Sequence, residues 1–353
     1  MPFFISTHRG VGEENFYALE FDDNRESLSA VSTQRLLSKP TYIINHPSLP
    51  VLYTAGDTAS GGIISAVNLR EDLQDFSVMG NHIPQIGSGG DSPCHLAIDH
   101  EATTLCISNY RSGTFATVRL SANGMPITLA QQFSFQGVGA HPIRQQRSHI
   151  HSSVFSPTED YVLVADLGLD RIVLFACTRT GGCHLTEIGH VAVRPGSGPR
   201  YMRFSADGRF LYVVMELSNE VAVYMWQSGS LRLMQTVSTL PDQAHDTASI
   251  AADIQFGINE EYVYTSNRGH ESITLFLRNA ENGLLSDAKH YSCHGKHPRS
   301  FVIDEARRWM VIANVDSNNV VICPIDEDSG GVGEPVCHAE IQKPMCVLCA
   351  PKR

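Results

Sequence analysis

The sequence predicts an all-β chain folded as a single seven-bladed β-propeller over residues 1–353, and three observations predict it. Period-2 alternation of apolar and polar residues dominates, and helical periodicity is almost absent. One strand-rich pattern recurs through the chain. A further copy of it is divided between the two chain ends.

The copies begin at Pro40, Pro93, His151, Pro199, Ala252 and Pro298, with start-to-start spacings of roughly 46 to 58 residues. Each opens with a short alternating run, as in "HSSVFSP", and turns at segments such as "SPTED", "SADGR" or "INEE". A second β-rich run, a polar break and a third run follow, which reads as antiparallel strands joined by hairpins. More variable segments such as "LRLMQTVSTLP" supply a fourth strand. Four strands at this repeat length describe a propeller blade. At the C-terminus "PMCVLC" carries only the first-strand pattern, while "FFISTHRGVGEENFYALEFD" reads as a second and third strand. Pairing the ends closes the seventh blade and leaves no open sheet edge.

Composition narrows the function classes. The formal net charge is −11, so no basic excess exists to neutralise nucleic-acid phosphates or to favour an anionic membrane. An anionic substrate must then be held by a local arginine cluster against the global field. No run approaches the apolar length of a membrane-spanning helix. The start "MPFFISTHRGVGEENF" has no signal-peptide pattern, and nine cysteines without framework spacing suggest reduced thiols in a cytoplasm. The pair Cys346 and Cys349 sits in a strand-like run, where residues three apart face opposite sides, which disfavours a redox or zinc role. His290, Cys293, His294 and His297 in "HYSCHGKHPRS" do not show paired zinc-ligand spacing, so neither metal nor cofactor is expected.

Aligning the repeats gives two columns. Thr41, Cys94, His151, Arg200, Ala252, Arg299 and Met345 begin the first strands. Gly56, Asn109, Asp166, Glu216, Asn267 and Asn314 end the second strands. Antiparallel neighbours place one strand's start beside the next one's end, so both columns should ring one mouth of the central channel. The polar groups concentrate on the third to fifth repeats: His151 with Asp166, Arg200 with Glu216, and Asn267 with Arg268. His149 enters from the preceding loop. Asn109 and Asn314 read equally well as backbone caps or substrate contacts. Asp166 either satisfies the amides of its own turn or orients His151. Gathering His, Glu and two Arg is costly unless the site is used.

The blocks "IRQQRSHIHSSVFSP", "GPRYMRFSADGRFLYVVMELSNEVAVY" and "ASIAADIQFGINEEYVYTSNRGHESITLF" resemble those of the seven-bladed propeller lactonases. That group includes one class of 6-phosphogluconolactonase and the fungal 3-carboxy-cis,cis-muconate lactonizing enzyme. The resemblance covers nearly the whole chain, and it implies site residues at His151, Arg200, Glu216 and Arg268, the set the columns pick out. Two positions depart: Tyr201 stands where the family usually has His, and Glu271 where it has Asp.

These residues suit hydrolysis of a small anionic sugar lactone. His151 is the expected general base, and Arg200 and Arg268 are the expected anion clamp and oxyanion stabilisers. Glu216 is expected as orienter or alternate acid/base. His149, Asp166, Asn267, Arg299, Asn109, Asn314 and Tyr201 are expected as further substrate contacts. The same groups serve a cycloisomerase that adds a carboxylate to an alkene and protonates carbon. A non-catalytic binding scaffold is the reading from another class. It predicts a broad apolar face, which two Trp and 8% aromatic residues do not suggest. Oligomeric state is left open.

Overall fold

Every predicted repeat forms a four-stranded antiparallel sheet, seven in all among the described residues. The computed structural model describes residues 1–36, 38–69, 84–179, 181–244, 248–304, 306 and 308–350. The first strands of the sheets are Lys39–Asn45, Pro93–Ile98, Ile150–Phe155, Pro199–Phe204, Ile250–Phe256, Pro298–Ile303 and Pro344–Cys349. The seventh sheet joins the chain ends as expected: Pro344–Cys349 lies beside Pro2–Thr7, followed by Phe16–Asp22 and Ser27–Gln34. The described helical content is limited to short 3-10 turns such as Leu167–Leu169. No described helix is long and apolar enough to cross a membrane.

The chain divides into two compact units. The first comprises Met1–Ile5, Leu19–Ser29 and Arg200–Cys349; the second includes Ser6–Ala18 and Ala30–Pro199. Within each unit the middle strands are buried on both faces. Phe210–Met215 is buried throughout, and Tyr212, Val214, Ala251, Ile254, Val263 and Phe276 form one apolar cluster. In the second unit Phe115, Ile150, Val162, Val164, Val173 and Phe175 do the same. Removing these side chains from water supplies the main driving force, at roughly 1.5–3 kcal/mol for each large one.

Two repeated polar devices tie neighbouring sheets together. Tyr53, Tyr212 and Tyr264 occupy equivalent second-strand positions, and each hydroxyl donates at 2.7 Å to a hairpin carbonyl, of Gly124, Gly283 and Gly330 respectively. On the outer strands, Gln131 brackets both backbone groups of Leu185, and Gln235 those of Leu285. Tyr264 is fully buried, so Tyr264→Phe leaves the Gly330 carbonyl without its donor. The expected cost is about 1–3 kcal/mol, read as a lower urea midpoint with an unchanged slope. An unchanged midpoint would remove the latch role.

One expectation is corrected. Cys177 and Cys183 form a disulfide, with Cα atoms 5.4 Å apart. They face each other diagonally across the hairpin of Arg171–Arg179 and Cys183–Ala192, where Cys183 pairs with Arg179. Their six-residue separation is hairpin spacing, which a search for a framework of many bridges passes over. Cys346 and Cys349 lie in strand Pro344–Cys349, as expected.

Candidate functional site

The strand registers set first-column positions next to the partners of second-column residues and show a device that shapes them. In the first sheet Pro40 pairs with Gly56 and Tyr42 with Ala55, so Thr41 is left out of the ladder. The same bulge leaves out Cys94, His151 and Arg299, each one residue after the partner of Asn109, Asp166 or Asn314. In the fifth sheet the irregularity falls between Ala251 and Ile254. A bulge bends the strand and re-aims the unpaired side chain, which is why such features gather beside functional sites.

Some of these positions join neighbouring first strands. Thr41 Oγ1 donates to the Pro93 carbonyl at 2.5 Å, and Cys94 Sγ donates to the His151 carbonyl at 3.3 Å. Others carry charge.

In the first unit, Glu216 Oε2 receives Arg200 Nε at 2.9 Å and Arg268 Nη2 at 2.8 Å. All three side chains are almost fully buried. Arg200 also donates to the Ala252 carbonyl, and Arg268 to that of Ala251 at 2.9 Å. Ala251 returns a backbone bond to the Glu216 carbonyl at 3.1 Å, so strand Ile250–Phe256 is part of the frame. Burial lowers the Arg268 guanidinium to about 10; Glu216 opposes this, and the Arg200 and Arg299 cations reinforce it. The buried Arg268 Nε has no hydrogen-bond partner among the described residues. Arg299 is half-buried. Asp253 completes the charged group, its carboxylate accepting from Ile254 N and Phe301 N, and burial raises its pKa.

Tyr201 supports this cluster. The Arg200 guanidinium lies 4.1 Å from its ring centroid, and the ring packs on the Tyr212–Ala251 core. Its place is thus beneath an arginine, and burial raises its hydroxyl pKa.

In the second unit the bulge carries His151, which is buried. His149 precedes the strand, stacks on Tyr110 with centroids 4.4 Å apart, and places Nδ1 2.9 Å from the Tyr110 carbonyl. Because a carbonyl only accepts, Nδ1 carries the proton, and in the neutral ring Nε2 keeps its lone pair. Tyr110 also meets His151 edge-on, at 5.6 Å, and its hydroxyl receives Arg144.

Asp166 does not hold the His151 ring as the orienting role required. Its carboxylate accepts from Ser148 Oγ, His149 N and Leu169 N at 2.9, 3.0 and 3.2 Å, with Arg171 Nε 3.5 Å away. The alternative reading, an Asp satisfying the amides around its own turn, describes it. Burial raises its pKa, and these bonds oppose the shift. The asparagines are caps as well. Asn109 donates to the Ser88 carbonyl, Asn314 to that of Cys293 and Asn267 to that of Thr239, and all three are fully buried. Their amides hold the loop that leads into each sheet, while Oδ1 of Asn109 and of Asn314 has no hydrogen-bond partner among the described residues.

Tyr110 is the residue the sequence reading missed. It follows second-column Asn109 as Arg268 follows Asn267, so a third column one position further on would have found it.

Comparison with known proteins bears on what such a site does. Residues 3–349 match the family model described as lactonase, 7-bladed beta-propeller. The chain is 29% identical to 6-phosphogluconolactonase of Bacillus subtilis over 346 residues, covering 98% of this chain and 97% of the relative. It is 31% identical to 6-phosphogluconolactonase of Formosa agariphila over 322 residues, with 88% of each chain covered. The solved structure of a periplasmic gluconolactonase from Pseudomonas aeruginosa superposes with a TM-score of 0.90 at 25% identity, covering 99% of both chains.

Proposed function

This chain belongs to the seven-bladed β-propeller lactonase family, and from that premise we propose that it hydrolyses the lactone of an acidic sugar, of the 6-phosphogluconolactone class. The buried Arg200–Glu216–Arg268 group carries this reading. With Arg299 it sets three guanidiniums against Glu216 and Asp253, and the buried Arg268 Nε–H has no hydrogen-bond partner among the described residues.

The assigned chemistry is addition of water to the lactone carbonyl, followed by cleavage of the bond to the ring oxygen. The base takes the water proton, the ring oxygen leaves as a hydroxyl on receiving a proton, and the product is a carboxylate. Arg200, Arg268 and Arg299 grip the substrate's acid group and the developing oxyanion, which a planar guanidinium does with two parallel bonds. Glu216 is their orienter, since its Oε2 already accepts from two of them. His151 is assigned the base. One observation favours a second assignment of that role within the same unit: His149 has its tautomer set by Tyr110, which leaves Nε2 ready to accept.

The test is a panel of acidic and neutral sugar lactones, with acid release followed in a pH-stat and products identified by NMR. Ring opening of the acidic δ-lactones is expected, at least tenfold faster than of the neutral ones, as one desolvated charge pair would provide. Turnover of carboxymuconate without water uptake would replace this reading with a cycloisomerase. No turnover and no binding of gluconate 6-phosphate would leave a scaffold.

A further inference from the structure

His297 belongs to none of the assigned roles, and its setting is unusual. It stands between Lys296 and the strand Pro298–Ile303, with a φ of 63°. That left-handed backbone is uncommon for a side chain with a Cβ, and the following proline restricts it further. Such conformations persist only where surroundings hold them, and they cluster at functional sites. Here the His297 N–H donates to the Glu271 carboxylate, and its carbonyl accepts from Val315 N at 3.0 Å. The ring is fixed as well: Nδ1 lies 3.3 Å from Asp316 Oδ2, and Lys343 Nζ pairs with the other oxygen at 3.2 Å.

The charges around the ring come from several elements of the first unit. Arg268 ends strand Tyr262–Arg268, Arg200 belongs to Pro199–Phe204, and Arg299 is the bulge residue two positions on. Asp316 is the acidic partner. Glu271 is engaged by the backbone N–H, and Lys296 is exposed. Burial, with Arg268, Arg299 and Arg200, holds the imidazole down at about 4 against the pull of Asp316. At neutral pH the ring is therefore uncharged. An anion placed among those guanidiniums would reverse the field that keeps it so.

We propose that His297 is an anion-dependent fourth cation of the arginine cluster, taking up a proton when the acid group of the substrate seats against Arg200, Arg268 and Arg299. The inference rests on the acidic-lactone reading and deepens it, since it makes the site select charged substrates over neutral ones. The sign follows from linkage. Binding raises the ring's affinity for a proton, so anion affinity increases as pH falls toward the value of the empty protein.

The experiment is calorimetric titration of the full chain with gluconate 6-phosphate at about pH 5.5, in two buffers of different ionisation enthalpy. Wild type is compared with His297→Asn, because Asn tolerates the left-handed backbone but brings no titrating ring. The ligand's own proton exchange is common to both proteins and cancels in the difference. Wild type should take up about one proton more than the variant, and should bind about tenfold tighter at that pH. Equal proton uptake in the two proteins overturns the role of His297 while leaving the lactonase reading intact. Absence of binding by the wild type overturns both. Asp316→Asn keeps the ring but removes the carboxylate that stabilises its charge, and should lower the uptake by about half or more. Uptake unchanged in that variant also overturns the proposal.

Discussion

Glu216→Ala is expected to lower the free energy of unfolding by about 3–5 kcal/mol, the usual cost of breaking a buried ion pair by removing one partner. Glu216 Oε2 is the shared acceptor of Arg200 Nε and Arg268 Nη2, in a group that water hardly reaches. Removing it strands two guanidiniums at once. Burial already lowers Arg268 to about 10, and Glu216 is the charge that opposes that shift. Glu216→Gln keeps the shape and one acceptor oxygen but not the charge, so its loss should be smaller and still measurable. Urea titrations check both, with midpoints falling in the order wild type, Gln, Ala. A midpoint for Ala within error of wild type would show that the trio does not act as a structural unit.

The seven sheets were legible because each strand pair repeats a period-2 apolar pattern broken by the same turn residues. The two columns were legible for a related reason: register follows once strand ends are aligned. Bulges left no such trace. Whether His151 continues the ladder or is turned out of it depends on one extra residue between the pairs Ile150–Asp166 and Ser152–Ala165, which composition does not encode. Nor does sequence separate an asparagine that caps a carbonyl from one that binds a ligand; the 2.9 Å bonds of Asn109 to Ser88 and of Asn314 to Cys293 become visible only in the structure. The two readings of Asp166 could not be separated in the same way, because Ser148 and the amides of His149 and Leu169 claim it through local turn geometry. Tyr110 lies just outside the aligned columns, and His297 stood out in the sequence only as one of a loop's possible metal ligands.

His151→Ala is expected to reduce kcat on an acidic sugar lactone by about 10²- to 10⁴-fold, the contribution of one positioned base. KM should change little, since the grip on the acid group is assigned to arginines rather than to this ring. The backbone of the bulge is expected to survive, because the Cys94 thiol bonds the His151 carbonyl and not its side chain. His151→Gln separates the two functions of an imidazole: it keeps a hydrogen-bonding group and loses the base, and should be nearly as slow as Ala. His149→Ala is the decisive companion. Its ring stacks on Tyr110 and bonds the Tyr110 carbonyl, so its removal should disturb positioning and cost less than loss of His151. If His149→Ala instead takes the larger loss in kcat, the base is His149, and its tautomer, set by Tyr110, is the reason.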